Sequence, residues 1–147
     1  MARKSKLLRA RARAEGFSDT FQRLTGTEPL IVTVNSRELG EGGAALKRVL
    51  AQQPDTTAIA FSGDMLAVGA MFEADRTGLS IPDDLKILGY GDLDIARHTN
   101  PRLTTIRPPH NEIGEAVVRH VLERLDRPDT PGVNLDLGVK LILRETV

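Results

Sequence analysis

Four short apolar runs, PLIVTV (29–34), TTAIAF (56–61), LKILGY (85–90) and LTTI (103–106), alternate with stretches of helical periodicity, and that alternation leaves few folds open. The spacing predicts a helix over 5–24, with Leu7, Leu8, Ala12, Phe17, Phe21 and Leu24 recurring near every third or fourth residue and Gly26 ending it. A second helix follows Ser36, a candidate cap. Glu38 and Glu41 lie near its first turn, and Ala45, Leu46, Val49 and Leu50 point inward. A third covers Asp64 to Arg76 and stops at Gly78. A fourth comes after Pro108 and Pro109, with Ile113, Val117, Val121, Leu122 and Leu125 on one face. The closing VNLDLGVKLILRETV alternates as strands do. Strands separated by helices build parallel crossovers, so the expected class is α/β: a doubly wound, mostly parallel sheet with helices on both faces.

Ligands of such sheets sit beyond the C-terminal strand ends. Two of the ends here, FSGD and GYGD, finish in Gly-Asp, which points to Gly63, Asp64, Gly91 and Asp92 as one cleft. A short acid after a strand also caps the next helix, and for Asp64 that is the favoured role. Gly91 poses a question, because a strand end aimed at a ligand carries no side chain there. Asp92 can take over as acceptor if the glycine shifts the backbone.

Composition excludes several classes. The 147 residues hold no Cys, which removes disulfides, thiolate metal sites and cysteine nucleophiles. Aromatics are 3%, too few for a base-stacking surface. His98, His110 and His120 have no metal-ligand spacing, and no nucleophile elbow, P-loop or G-x-G-x-x-G occurs. GEGGA (40–44) is glycine-rich but falls inside a helix, a weak phosphate signal. The net charge is zero but uneven. Arg3, Lys4, Lys6, Arg9, Arg11 and Arg13 make a basic tip, leaving 14 basic against 20 acidic residues, a net of −6, in the rest. With no apolar run long enough to span a bilayer and no secretory leader, the expectation is a cytoplasmic protein without a membrane partner, metal or cofactor. The helix 64–76 is apolar nearly all round. That predicts a second copy of the chain against Met65, Val68, Met71 and Phe72, in a homodimer or higher homo-oligomer, the alternative being a helix wedged between the sheet and a neighbouring helix of the same chain.

The ordered motifs resemble one family. Ala67-Val68-Gly69-Ala70, Gly78, Ile81-Pro82-Asp83-Asp84, Gly89-Tyr90, Pro101, Leu103-Thr104-Thr105-Ile106 and Gly114 are similar to the C-terminal part of LacI/GalR-type transcriptional regulators. Arg13-Ala14-Glu15-Gly16-Phe17 upstream and Arg144-Glu145-Thr146 at the end extend the likeness. The resemblance implies a Rossmann-like lobe of a periplasmic-binding-protein-like fold, incomplete, with the first lobe largely missing and the second lacking its first strand. It implies three parts: an effector-binding lobe over 1–107, a segment crossing to the other lobe over 108–138, and a returning strand over 139–147. Pro108 and Pro109 would be the hinge. Arg13 would grip effector oxygens, Gly63, Asp64, Gly91 and Asp92 would lie at the effector, and His110 would line the pocket. The effector would be a sugar or a purine-like molecule, and DNA would be reached only through a helix-turn-helix this sequence does not contain. The reading is therefore a non-enzymatic ligand sensor of a transcriptional regulator. A sugar-type solute-binding protein of a transporter, or a self-associating fragment that binds no ligand, are the alternatives.

Overall fold

A computed structural model describes residues 2–147, with side chains from residue 9 onward; the side chains of Arg3, Lys4, Lys6, Leu7 and Leu8 lie outside the described residues. Four helices, α1 (Ala2–Thr25), α2 (Leu39–Gln52), α3 (Asp64–Thr77) and α4 (His110–Asp126), accompany a sheet of β1 (Ala58–Ala60), β2 (Lys86–Tyr90), β3 (Thr104–Arg107) and β4 (Lys140–Ile142). The strand order is β1-β2-β3-β4, parallel except for β4, which runs antiparallel to β3. This is the α/β class the sequence predicts.

The alternation along β2 sorts the layers. Leu85 and Ile87 are fully buried against α3, with Leu46, Leu66, Val68 and Leu103 in the same core, while Lys86 is exposed and Leu88 and Tyr90 half-buried on the other face. The segment 29–34 departs from the expected strand. Among the described residues it has no ladder partner, and it faces β1 across a cavity of about 790 Å³ with α1 along its side. A β-branched run supplies propensity, but a strand exists only where a neighbour accepts its hydrogen bonds.

The apolar girth of α3 has an intramolecular cause. Val68 and Met71, expected to meet a second copy, are buried within the single chain, whereas Phe72 stays 55% exposed. The cover is α2, which approaches at backbone distance. A Cβ on Gly42 would stand 2.0 Å from the Leu66 carbonyl oxygen, and one on Gly69 would stand 1.9 Å from that of Leu39. GEGGA is thus a packing surface. The expected Ser36 cap is also displaced: α2 begins at Leu39 behind Glu38, and the Ser36 hydroxyl accepts the Glu38 amide at 3.3 Å instead. On α1, Ala10, Ala14, Phe17 and Phe21 line the cavity, while Leu24 is exposed.

The C-terminal residues clamp the sheet. Buried Thr146 donates its hydroxyl to the Ile87 carbonyl at 2.6 Å and accepts the Thr104 amide at 2.9 Å, and its own carbonyl accepts the Ile87 amide at 2.9 Å. Thr146→Val keeps the shape and removes the hydroxyl. It is expected to cost about 1–3 kcal/mol, the penalty for stranding buried backbone groups. Urea unfolding checks this: the midpoint falls with an unchanged slope, and Thr146→Ser retains most of the stability.

The expected amphipathic helix forms as α4, yet none of its residues is buried: Val117, Val118, Val121, Leu122 and Leu125 all face outward. Val133, Leu135, Leu137, Val139, Leu141 and Leu143 repeat every second residue and are equally exposed. Among the described residues, α4 and the stretch 133–143 thus present apolar faces that nothing covers.

Candidate functional site

Because β1, β2 and β3 are parallel, their C-terminal ends deliver Ser62-Gly63-Asp64, Tyr90-Gly91-Asp92 and Arg107 to one edge of the sheet. Asp64 ties this edge together. It is fully buried, accepts the Thr105 hydroxyl at 2.6 Å on one oxygen and the Leu93 amide at 2.7 Å on the other. This corrects the expected cap: the residue at the cap position of α3 is Gly63, which makes no side-chain bond, and the Asp64 carboxylate turns toward β3. Its charge still lies in the first turn of α3, where the helix dipole favours an acid. Gly89 makes room for it, since a Cβ there would stand 2.3 Å from Asp64 Oδ1.

Gly91 answers its own question through its backbone. Its φ of +132° is one that side-chain-bearing residues rarely adopt, and its amide donates to the Ile106 carbonyl at 2.8 Å. The turn delivers Asp92, itself at φ +50°, away from solvent. The Asp92 side chain is 2% exposed and is bonded by Arg144 and by Arg107 Nε at 2.5 Å, with Arg97 Nη2 at 3.6 Å. Burial pushes this carboxyl up, but the guanidinium bonds and charges of Arg144 and Arg107 prevail and hold it below the ordinary carboxylate value. Asp92 therefore does not stand as a free acceptor in place of a side chain at Gly91. No local sequence pattern ties the three arginines to Asp92. Arg144 is 52 residues away from Asp92, and only the closing Arg144-Glu145-Thr146 pattern hinted at it.

Arg13 reaches the same edge from α1. Its guanidinium lies 4.3 Å over the Tyr90 ring, and Nη2 is 3.5 Å from the Ser62 carbonyl, a long contact. Its buried Nε has no partner among the described residues. Arg13, Gly63, Asp64, Gly91 and Asp92 thus share the strand ends. His110 does not join them: it is exposed, opens α4, and follows buried Pro108 and half-buried Pro109. The cavity touches this edge at Arg13, Ser62 and Tyr90, whereas its body between β1 and residues 29–34 is lined mainly by apolar groups. Among the described residues, no three His, Asp or Glu side chains are placed to hold a metal, and no helix is long and apolar enough to cross a membrane.

The family model for the periplasmic binding protein-like domain matches residues 2–147. The chain belongs to that family. It is similar to the HTH-type transcriptional regulator GntR of Pseudomonas aeruginosa, at 33% identity over 91% of this chain and 40% of that protein. The ribose operon repressor of Haemophilus influenzae is 37% identical over 73% of this chain and 32% of its own length. Among solved structures, a LacI family transcriptional regulator from Enterococcus faecium with bound ribose aligns at a TM-score of 0.79 and 26% identity, covering 93% of this chain and 51% of that one. The chain spans less than half the length of the curated relatives it matches.

Proposed function

We propose that this chain is the effector-sensing lobe of a LacI-family regulator, and that a small ligand binds at the strand ends formed by Ser62-Gly63, Tyr90-Gly91 and Arg13. The observation that carries the reading is Arg13: a guanidinium laid on an aromatic ring at the ligand-binding edge of a parallel sheet, with a buried donor unspent. The relatives named for ribose, one of them holding it, support a small polar effector. Mechanism follows from linkage: a ligand preferring one arrangement of the regulator shifts its population, and with it the affinity for DNA. The uncovered faces of α4 and of 133–143 fit a crossing segment over 108–138 that packs against the remainder of the regulator. Pro108-Pro109 would be its hinge. Dimerisation, if it uses α3, rests on Phe72 and Met65, since Val68 and Met71 are already buried.

A thermal-shift screen of this chain with sugars, sugar acids and nucleobases tests the sensing reading. A true effector at a hundred times its Kd adds about 2.7 kcal/mol, a rise of several degrees in Tm. A flat response across all three classes overturns it.

A further inference from the structure

We propose that Asp92 is a positioning residue that latches the arm 108–138 to the lobe, so that the turn at the ligand edge and both roots of the arm move as one body. The inference rests on the effector-sensing reading of the strand ends and of that arm, and it adds how the two are joined.

The chain leaves the sheet and returns to it at one place, because Arg107 at the end of β3 pairs with Lys140 at the start of β4. Between those points no residue of α4 is buried, and residues 127–139 form no helix or strand. The direction the arm takes is therefore decided at its two roots. Pro108 and Pro109 follow Arg107 directly and have no N–H, so the outgoing backbone donates no hydrogen bond there. What remains to hold that root is the Arg107 side chain.

Both roots are tied to the same carboxylate. Arg107 donates Nε to Asp92 Oδ2 at 2.5 Å. Arg144, two residues beyond β4, donates Nη2 to Asp92 Oδ1 and Nη1 to the Leu103 carbonyl at 2.6 Å. Each oxygen of one buried group thus takes one root. Asp92 in turn follows Gly91 in the bend that leaves β2, with left-handed backbone at both residues and the Asp92 amide 3.4 Å from the Thr105 hydroxyl. A ligand that shifts this bend carries the carboxylate with it, and the arginines follow because a buried charge is costly to leave unpaired.

Arg97 supplies the contrast. Its Nη2 lies 3.6 Å from the same carboxylate, but it belongs to the single turn Asp94–Arg97 and sits on neither root. Arg97 and Arg107 are both about half-exposed. Removing either takes one positive charge from Asp92, yet only the loss of Arg107 unties a root.

The test is a distance measurement on the chain without ligand. The sequence has no Cys, so two spin labels can be placed alone. Gln52→Cys at the end of α2 and Glu115→Cys on α4, both exposed, report the separation of lobe and arm by double electron–electron resonance. The otherwise wild-type chain is expected to give one narrow distance. Arg107→Gln should broaden it or add a second population, and Arg97→Gln should leave it unchanged. The Tm values of the two Gln variants should lie close together, so that general loosening does not account for the difference. A broad distribution in the otherwise wild-type chain overturns the latch, and needs no further variant. So does an Arg107→Gln distribution as narrow as that of the parent, or an Arg97→Gln distribution as broad as that of Arg107→Gln. Each of these leaves the sensing reading standing, because that reading is decided separately by the ligand screen.

Discussion

Gly69→Ala is expected to remove a large share of the stability of this fold, at a cost of about 3 kcal/mol or more. The added Cβ would stand 1.9 Å from the Leu39 carbonyl oxygen and 2.7 Å from its carbon. Overpacking a core typically costs about 1–3 kcal/mol because a side chain can rotate aside. Here the obstacle is the backbone at the start of α2, which moves only if the helix moves. Against a total of about 5–15 kcal/mol for an ordinary domain, such a loss is a large share of the margin and raises the unfolded population more than about a hundredfold. Gly42→Ala, facing the Leu66 carbonyl at 2.0 Å, should behave alike. Gly40, on the same helix, meets nothing within 4 Å, and Gly40→Ala should gain up to about 0.5–1 kcal/mol from backbone entropy. Urea midpoints measured side by side decide the matter. Equal shifts for Gly40→Ala and Gly69→Ala would mean that α2 and α3 do not approach this closely.

Asp92→Asn is expected to cost about 2–4 kcal/mol at neutral pH, and the loss should disappear in acid. Breaking a buried ion pair by deleting one partner costs about 3–5 kcal/mol. The lower end is set here by Arg107 and Arg97, which can turn to water, while Arg144 cannot. The sign of the pH effect follows from the lowered carboxyl. A group whose folded pKa lies below its unfolded value stabilises fully above the unfolded value, near 3.8. The contribution is lost as pH falls from there through the folded value. The Tm difference between wild type and Asp92→Asn should therefore be constant from pH 7 to about 5 and close below about 4. Arg97→Gln, whose pair is half-exposed and 3.6 Å long, should cost under about 1 kcal/mol. A wild-type-to-Asn gap that widens in acid would contradict the arginine cluster.

Element order was legible because period-2 and period-3.6 patterns each report one buried face: LKILGY became β2 with Leu85 and Ile87 inward, and the segment after Pro109 became α4. The run 29–34 has strand propensity without forming a strand, because a strand is a pairing, and pairing is not written in the strand's own residues. For a similar reason the all-round apolar α3 is compatible in sequence with either a second molecule or a neighbouring helix of the same chain. The clue that α2 covers it is the glycine spacing of two separate helices, Gly42 and Gly69, and only their meeting in space gives it meaning. At the site, the Gly-Asp strand ends were legible and their division of labour was not. Asp64 is spent on Thr105 and Asp92 on Arg144, contacts spanning 41 and 52 residues that no local pattern announces.

The open side of β1 bears on how this polypeptide behaves in concentrated solution. β1 has a strand on one flank only, and in a parallel ladder alternate residues bond to alternate flanks, so the main-chain groups of Ala58 and Ala60 turn to the cavity while Thr57 and Phe61 bond β2. The surrounding segment TTAIAFS (56–62) has no charge, no proline and no lysine gatekeeper. Such an edge templates any extended apolar chain that reaches it, including its own counterpart in a neighbouring molecule. Colloidal stability of the chain therefore depends in part on how well α1 and residues 29–34 screen a few peptide groups.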